Sequence, residues 1–479
     1  MGLGNQMFKG MVWSAVERLS VQVVSFGLGI ILARLLTPTE YGTVGLLIVF
    51  ITISQVFIDS GFSKALIQKQ NRTQEDIYTA FWFNVLIAVV CYVILWFAAP
   101  FIASFYEIAE LSKLLRVLAL SLLFNSLFSI PQTLFLIDLN FKSIAKVNFL
   151  ATMLSGIFAV YLAYVGYGAW ALVMQTLAKT ILMAIFMWFQ LKWMPKFIFS
   201  KSSFLGLFAF GHKLLLTSLL GTISSNINSL LIAKYIGAKD LGFYTRGTQF
   251  CDTVYGTLST IFDSVLLPAL SKVQDQLDVL IRHTQNVIKT AALLVTPLFL
   301  GLAVLAEPII RVLLTEKWLM AVPIMQILCI ARMITIISGI SINLLYVIGR
   351  TDLALRQQYV KIAVRVALLL AALPFGIVYI ALAELLSTTV HFFINTHYPG
   401  KMMNYGAMKQ IKDISPILMA GALMTIISYL MIQYLPISDL SKLLTVPIIG
   451  GMVYFIAIKL LKIPEYAILT NKIKTLIKR

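Results

Sequence analysis

Ala33-Arg34-Leu35-Leu36-Thr37-Pro38-Thr39-Glu40-Tyr41-Gly42 realigns without a gap on Ala233-Lys234-Tyr235-Ile236-Gly237-Ala238-Lys239-Asp240-Leu241-Gly242. Farther along each copy, Asp59-Ser60 and Ala65-Leu66 return as Asp263-Ser264 and Ala269-Leu270. In a hydrophobic chain a repeat of this length implies two homologous membrane lobes, a build in which secondary transporters place their site at the lobe interface. The boundaries that follow are a first lobe over 1–198, a second over 199–400, and an appendix over 401–479.

Composition sets the class. Of 479 residues, 59% are hydrophobic and 12% charged, and the mean hydropathy is +0.90, whereas soluble chains carry roughly 25% charged residues. The chain is therefore polytopic and all-α. The formal charge of +18 does not point to nucleic acid, because no water-exposed domain gathers it. Cys91, Cys251 and Cys329 sit in apolar stretches without metal-ligand spacing and read as small buried hydrophobes. No Walker-type phosphate loop occurs. No metal or cofactor is expected.

Windows long enough to cross the bilayer number fourteen, from 12–33 and 42–62, through 212–236, 242–268 and 357–375, to 414–434 and 443–461. Spans one to six match seven to twelve. An even count per lobe makes the lobes parallel, related by an axis along the membrane normal. Val165-Gly166-Tyr167-Gly168 and Phe375-Gly376 read as tight turns, and Thr73-Gln74-Glu75-Asp76 as a helix N-cap. The loops bearing Lys64, Lys69, Arg72, Lys142 and Lys146, the 192–213 linker and the basic tail fall on one side, which places both termini in the cytoplasm. Leu469, Ile473, Leu476 and Ile477 beside Lys472, Lys474, Lys478 and Arg479 form a basic amphipathic end suited to anionic headgroups.

Polar residues within spans mark the chemistry, since hydrocarbon penalises them unless they face a cavity or a partner. Ser14, Arg18, Gln22 and Ser25 share one face of span one, and Ser218, Thr222, Ser225 and Ser229, with Asn226 and Asn228 beside them, carry that face in span seven. Two such stripes would enclose a hydrated cavity. The bland alternative is interhelical hydrogen bonding. Arg18, Lys179, Arg246 and Arg332 are basic residues inside or just within spans; Glu17, Asp59, Asp252, Asp263 and Glu384 are the acids. Guanidinium forks suit phosphate oxygens and keep their charge, so Arg18, Arg246 and Arg332, with Gln22, Ser25, Ser218, Thr222, Ser225 and Asn226, are the candidate substrate contacts. Glu17, Asp59, Asp263 and Glu384 are the candidate ion-coupling groups.

The segments Trp13-Ser14 with Arg18, Leu32 to Gly42, Asp59-Ser60-Gly61-Phe62, Ala65-Leu66-Ile67-Gln68, Thr79-Ala80-Phe81-Trp82, Gly242-Phe243-Tyr244-Thr245-Arg246, Pro268-Ala269-Leu270-Ser271 and Lys317-Trp318 resemble the polysaccharide transporters of the multidrug/oligosaccharidyl-lipid/polysaccharide superfamily. Within it they are most similar to the Wzx-type colanic acid and teichuronic acid exporters. The likeness covers roughly residues 8–400. It implies two six-helix lobes forming a V around a central cavity, two extra C-terminal helices, and outward flipping of undecaprenyl-diphosphate-linked oligosaccharides across the bacterial cytoplasmic membrane.

The leading reading is a non-enzymatic, monomeric flippase of a lipid-linked glycan repeat unit. Its partners would be that lipid-linked oligosaccharide, the phospholipid bilayer, and the polymerase and glycosyltransferases of the same route, with no nucleic acid. One alternative is a cation-coupled multidrug exporter, which wants an acidic, aromatic cavity. Another is a polytopic glycan polymerase or ligase, which needs outer catalytic groups. His212, His283, His391 and His397 lack mutual spacing for such work.

Overall fold

The computed structural model describes residues 3–59, 61–191, 193–274, 276–463 and 465–466; of residues 3–12, 14–18, 210, 213, 263–265, 267–269 and 277 it describes the backbone alone. Among the described residues sixteen α-helices succeed one another: α1 (Leu3–Leu35), α2 (Pro38–Asp59), α3 (Phe62–Gln68), α4 (Gln74–Tyr106), α5 (Leu111–Ile137), α6 (Phe141–Tyr164), α7 (Ala169–Gln190), α8 (Lys201–Tyr235), α9 (Ala238–Ser271), α10 (Leu277–Val304), α11 (Ala306–Leu313), α12 (Ala321–Val347), α13 (Thr351–Ala372), α14 (Ile377–Met403), α15 (Ala407–Tyr434) and α16 (Asp439–Leu460). All but α3 and α11 have 22 residues or more, enough to cross ~30 Å at 1.5 Å per residue. Among the described residues, twelve segments are also apolar enough to span, and Leu19–Leu35 of α1 forms a shorter apolar stretch. Helix α9 is long enough, but it carries Lys239, Asp240, Arg246 and Asp252. The protein is an all-helical polytopic membrane protein, its twelve apolar spanning segments and the shorter stretch of α1 being consistent with about twelve to fourteen crossings.

Local chemistry starts these helices where the sequence says. Thr37 and Glu40 form a capping box ahead of α2: the Glu40 carboxylate accepts from the Thr37 N–H at 2.6 Å, and the Glu40 N–H donates to Thr37 Oγ1 at 3.4 Å. Pro38 takes the first helical position, where its missing N–H costs nothing. Thr73 and Asp76 repeat the device at α4, and Lys69 Nζ pairs with Asp76 at 2.7 Å. The turn between α6 and α7 depends on Gly166 and Gly168, both at positive φ. The expected linker of 192–213 is shorter than its composition suggests. Ser200 caps α8, its side chain accepting from Ser203 N–H at 3.4 Å, and Lys201 is already helical. The basic amphipathic segment of 469–479 lies outside the described residues.

The chain divides into two compact units, residues 1–242 and 243–479. In the first, α1 packs on α6, α4 on α5, α7 on both α5 and α6, and α8 on α2, α3 and α4. Motif residues Phe62, Ala65, Leu66, Ala80 and Phe81 share one core with Ile77, Ile130 and Leu207. In the second unit α12 packs on α10 and α14, α13 on α14, and α15 on α10 and α16. Trp318 is fully buried there and meets Phe243 edge to face at 6.1 Å, so two distant parts of the signature are packing partners.

Within the first unit, the opening turns of α2 and α9 meet back to back. A Cβ added to Gly42 would collide with the Ala238 carbonyl, and one added to Gly242 would collide with the Pro38 carbonyl. Positions 38 and 42 of one copy thus meet positions 242 and 238 of the other, the reciprocal pattern of a local two-fold. The repeated decapeptide is its own packing partner.

Candidate functional site

Four helices of the second unit bring ionisable groups together in apolar surroundings. Glu384 on α14 is 6% exposed and gathers three donors from three other helices. Tyr244 Oη of α9 donates to its Oε2 at 2.6 Å, Arg332 Nη1 of α12 to its Oε1 at 2.7 Å, and Arg365 Nη2 of α13 lies 3.5 Å from Oε1. Arg332 Nε also donates to Asp252 Oδ1 on α9 at 2.6 Å, and its guanidinium stands 5.7 Å from the Tyr255 ring centre. Two guanidiniums and two carboxylates balance, and this balance is what lets charges reside inside a spanning bundle.

Beside this cluster lies a polar cavity of about 410 Å³, lined among others by Tyr255, Asn343, Lys361, Thr388, His391 and Asn395. The cluster and the cavity are neighbours along all four helices. On α9, α12 and α14 the cavity residues follow by three or four positions (Tyr255, Thr335, Thr388), while on antiparallel α13 Lys361 precedes Arg365 by four. His391 Nε2 lies 3.0 Å from the Lys361 carbonyl and 3.1 Å from Ser387 Oγ.

The first unit has a cavity of its own, also about 410 Å³, lined by Asp59, Lys64, Gln132, Thr133 and Ser218 among others. Asp59 accepts from Gln55 Nε2 at 3.1 Å, and the same amide donates to Asn125 at 3.0 Å. By helix order α2 and α5 of this unit correspond to α9 and α12 of the other, so each unit is hollowed between equivalent helices.

The structure brings Arg332 and Glu384 into one network, and Asp59 and Ser218 into one cavity. Arg246 is buried and donates to Gln249 on its own helix. On α8, Ser225 Oγ donates to the Thr222 carbonyl at 3.0 Å, and Asn226 Nδ2 to that same carbonyl at 2.8 Å. Gln22 is exposed and Ser25 half-buried. The side chains of Glu17, Arg18 and Asp263 lie outside the described residues. Sequence reasoning missed Tyr244, Lys361, Arg365 and Asn395. Lys361 and Arg365, one turn apart inside the 357–375 span, were detectable as an i,i+4 basic pair; Tyr244 and Asn395 carry no such signal.

Comparison with known proteins adds identity to this geometry. A family model described as polysaccharide biosynthesis protein matches residues 31–323. The chain is 28% identical over 354 residues to the teichuronic acid biosynthesis protein TuaB of Bacillus subtilis, covering 73% of each chain. It is 24% identical to the succinoglycan biosynthesis transport protein ExoT of Rhizobium meliloti, covering 67% of this chain and 65% of that one. In fold it is similar to the lipid II flippase MurJ in an inward closed conformation, with a TM-score of 0.74 at 16% identity over 93% of this chain and 98% of that one. The matched span contains both copies of the repeated decapeptide, and the chain belongs to the polysaccharide biosynthesis protein family.

Proposed function

We propose that this protein is a flippase that carries a lipid-diphosphate-linked oligosaccharide repeat unit from the inner to the outer leaflet of a bacterial cytoplasmic membrane, both of its termini being cytoplasmic. The observation that carries the reading is family membership over 31–323, together with relatives named for surface-glycan biosynthesis and, in one case, transport. A non-enzymatic role agrees with it. The glycan and diphosphate travel through a hydrated path while the polyprenyl chain stays in lipid, and no bond is made or broken. Among the described residues no carboxylate lines the cavity of the second unit, which favours an anionic or neutral glycan over the cations that a multidrug exporter moves.

In this reading Glu384 is the coupling group. While it is charged, it and Asp252 neutralise Arg332 and Arg365. A proton on Glu384 leaves two guanidiniums facing one carboxylate, and the site gains attraction for a diphosphate. Proton uptake and anion binding then support one another, as linkage requires. Arg18 and Arg246 remain further proposed anion contacts. The test is complementation of a strain lacking its own exporter, scored by surface polysaccharide at matched membrane abundance. Arg332→Ala and Arg18→Ala should each abolish export, and Arg332→Lys should restore it only in part, because lysine lacks the fork. Full export by the Arg332→Ala, Arg18→Ala double variant would remove the anion-site reading.

A further inference from the structure

The cavity of the second unit has features that diphosphate binding does not call for. Its cation, Lys361, pairs with no carboxylate among the described residues, whereas Arg332 and Arg365 one turn away are already committed to Glu384 and Asp252. Asn395 is 94% buried (6% exposed) and lines the same cavity. Its Nδ2 donates to Ser338 Oγ at 3.3 Å, but its Oδ1 accepts from no donor among the described residues. A buried amide oxygen left without a donor is a deficit that a ligand hydroxyl would remove. Tyr255 and Phe262 add aromatic surface to the wall, and the volume of about 410 Å³ exceeds what a diphosphate alone would fill.

A cation, an acceptor awaiting a hydroxyl, and aromatic faces together describe a pyranose that bears a carboxylate. We propose that this cavity is the subsite that reads an acidic sugar, of the hexuronate class, in the transported glycan. Lys361 Nζ pairs with the sugar carboxylate, Asn395 Oδ1 accepts from a ring hydroxyl, and Tyr255 meets the C–H face. The inference rests on the flippase reading for its biological meaning, but its binding chemistry stands apart from transport. A neutral sugar offers half-buried Lys361 no carboxylate to pair with, so the site discriminates by attraction to the acidic sugar.

The experiment is ligand-observed NMR on the purified full-length protein with methyl β-D-glucuronide, methyl β-D-glucoside and inorganic pyrophosphate. The wild type should prefer the glucuronide over the glucoside by about tenfold, the scale of one partly desolvated ion pair. Lys361→Gln should abolish that preference while leaving glucoside binding unchanged, Lys361→Arg should retain it, and Asn395→Leu should weaken both sugars alike. Gel filtration of each variant verifies folding, and the Arg variant keeps the test meaningful if Gln does not fold. Equal wild-type binding of the two sugars, a preference that survives Lys361→Gln, or Lys361-dependent pyrophosphate binding tighter than glucuronide binding would each overturn the proposal. Discrimination by the wild type without export in the complementation assay would count against the flippase reading alone; export by the wild type without discrimination would remove the subsite alone.

Discussion

At the scale of the residue, Glu384 shows why a buried charge must be judged with its partners. Removing Arg332 leaves a carboxylate that is 6% exposed with the longer Arg365 contact at 3.5 Å and the Tyr244 hydroxyl at 2.6 Å beside it, and breaking a buried ion pair typically costs about 3–5 kcal/mol. Arg332→Ala should therefore lower thermal stability sharply, while Tyr244→Phe should cost only about 1 kcal/mol, the usual worth of one hydrogen bond. Arg332→Met combined with Glu384→Leu should recover only part of the lost stability, since apolar packing replaces that pair but Asp252 and Arg365 lose their partners Arg332 and Glu384. Unfolding midpoints of the purified variants check this; a double variant no more stable than Arg332→Ala would show that the network does not act as a unit. Glu384→Gln should fold and yet lose its response to an imposed proton gradient. Unchanged gradient dependence in Glu384→Gln and Asp59→Asn alike would exclude coupling through either carboxylate.

At the scale of the element, the repeated decapeptide ties helix starts to helix packing. Thr37 and Glu40 close the first turn of α2, and that turn places Gly42 against the first turn of α9. Alanine at Gly42 or Gly242 forces a Cβ into backbone, which cannot yield as a side chain can, so each change should destabilise by about 1–3 kcal/mol. Thr37→Ala removes a cap at the cost of about 1 kcal/mol. Thermal unfolding distinguishes the two mechanisms. Gly42→Ala and Gly242→Ala act on one contact, and their combined effect should fall short of the sum of the singles, whereas Thr73→Ala at α4 should add to either. Strict additivity of the two glycine changes would mean that the reciprocal contact is absent in solution.

At the scale of the whole molecule, the charge of the loops sets orientation. If the amino terminus lies inside, as proposed, Lys64, Lys69, Arg72, Lys142 and Lys146 would face the cytoplasm, and the cavity of the second unit would lie on the cytoplasmic side of the Arg332–Glu384 cluster, where a substrate assembled inside would arrive. Reporter fusions after Lys201 and after Arg479 should score as cytoplasmic, and those near Lys113 and Lys317 as external. An external carboxyl terminus would break the even count of fourteen helices and the parallel pairing of the repeats.

Class, helix count, caps and turns were decided by the sequence, because each depends on neighbours within a few positions. Hydropathy marks a span, Thr37 reaches Glu40, Thr73 reaches Asp76, and Gly168 needs only its own φ. Arg332 and Glu384 were visible as charges inside spans, and the resemblance of the signature to polysaccharide transporters was legible in the residues that carry it. Their partnership was not, since Glu384 meets Arg332 across 52 positions and Tyr244 across 140, and helical periodicity says nothing about which face meets which. Only the tertiary structure decided that Ser225 and Asn226 of the α8 polar stripe bond to the Thr222 carbonyl, that Arg246 donates to Gln249 on its own helix, and that Lys361 and Asn395 share a cavity. The physical reason is that a charge in hydrocarbon reports a partner's existence by its cost, while the partner's identity depends on how the helices pack.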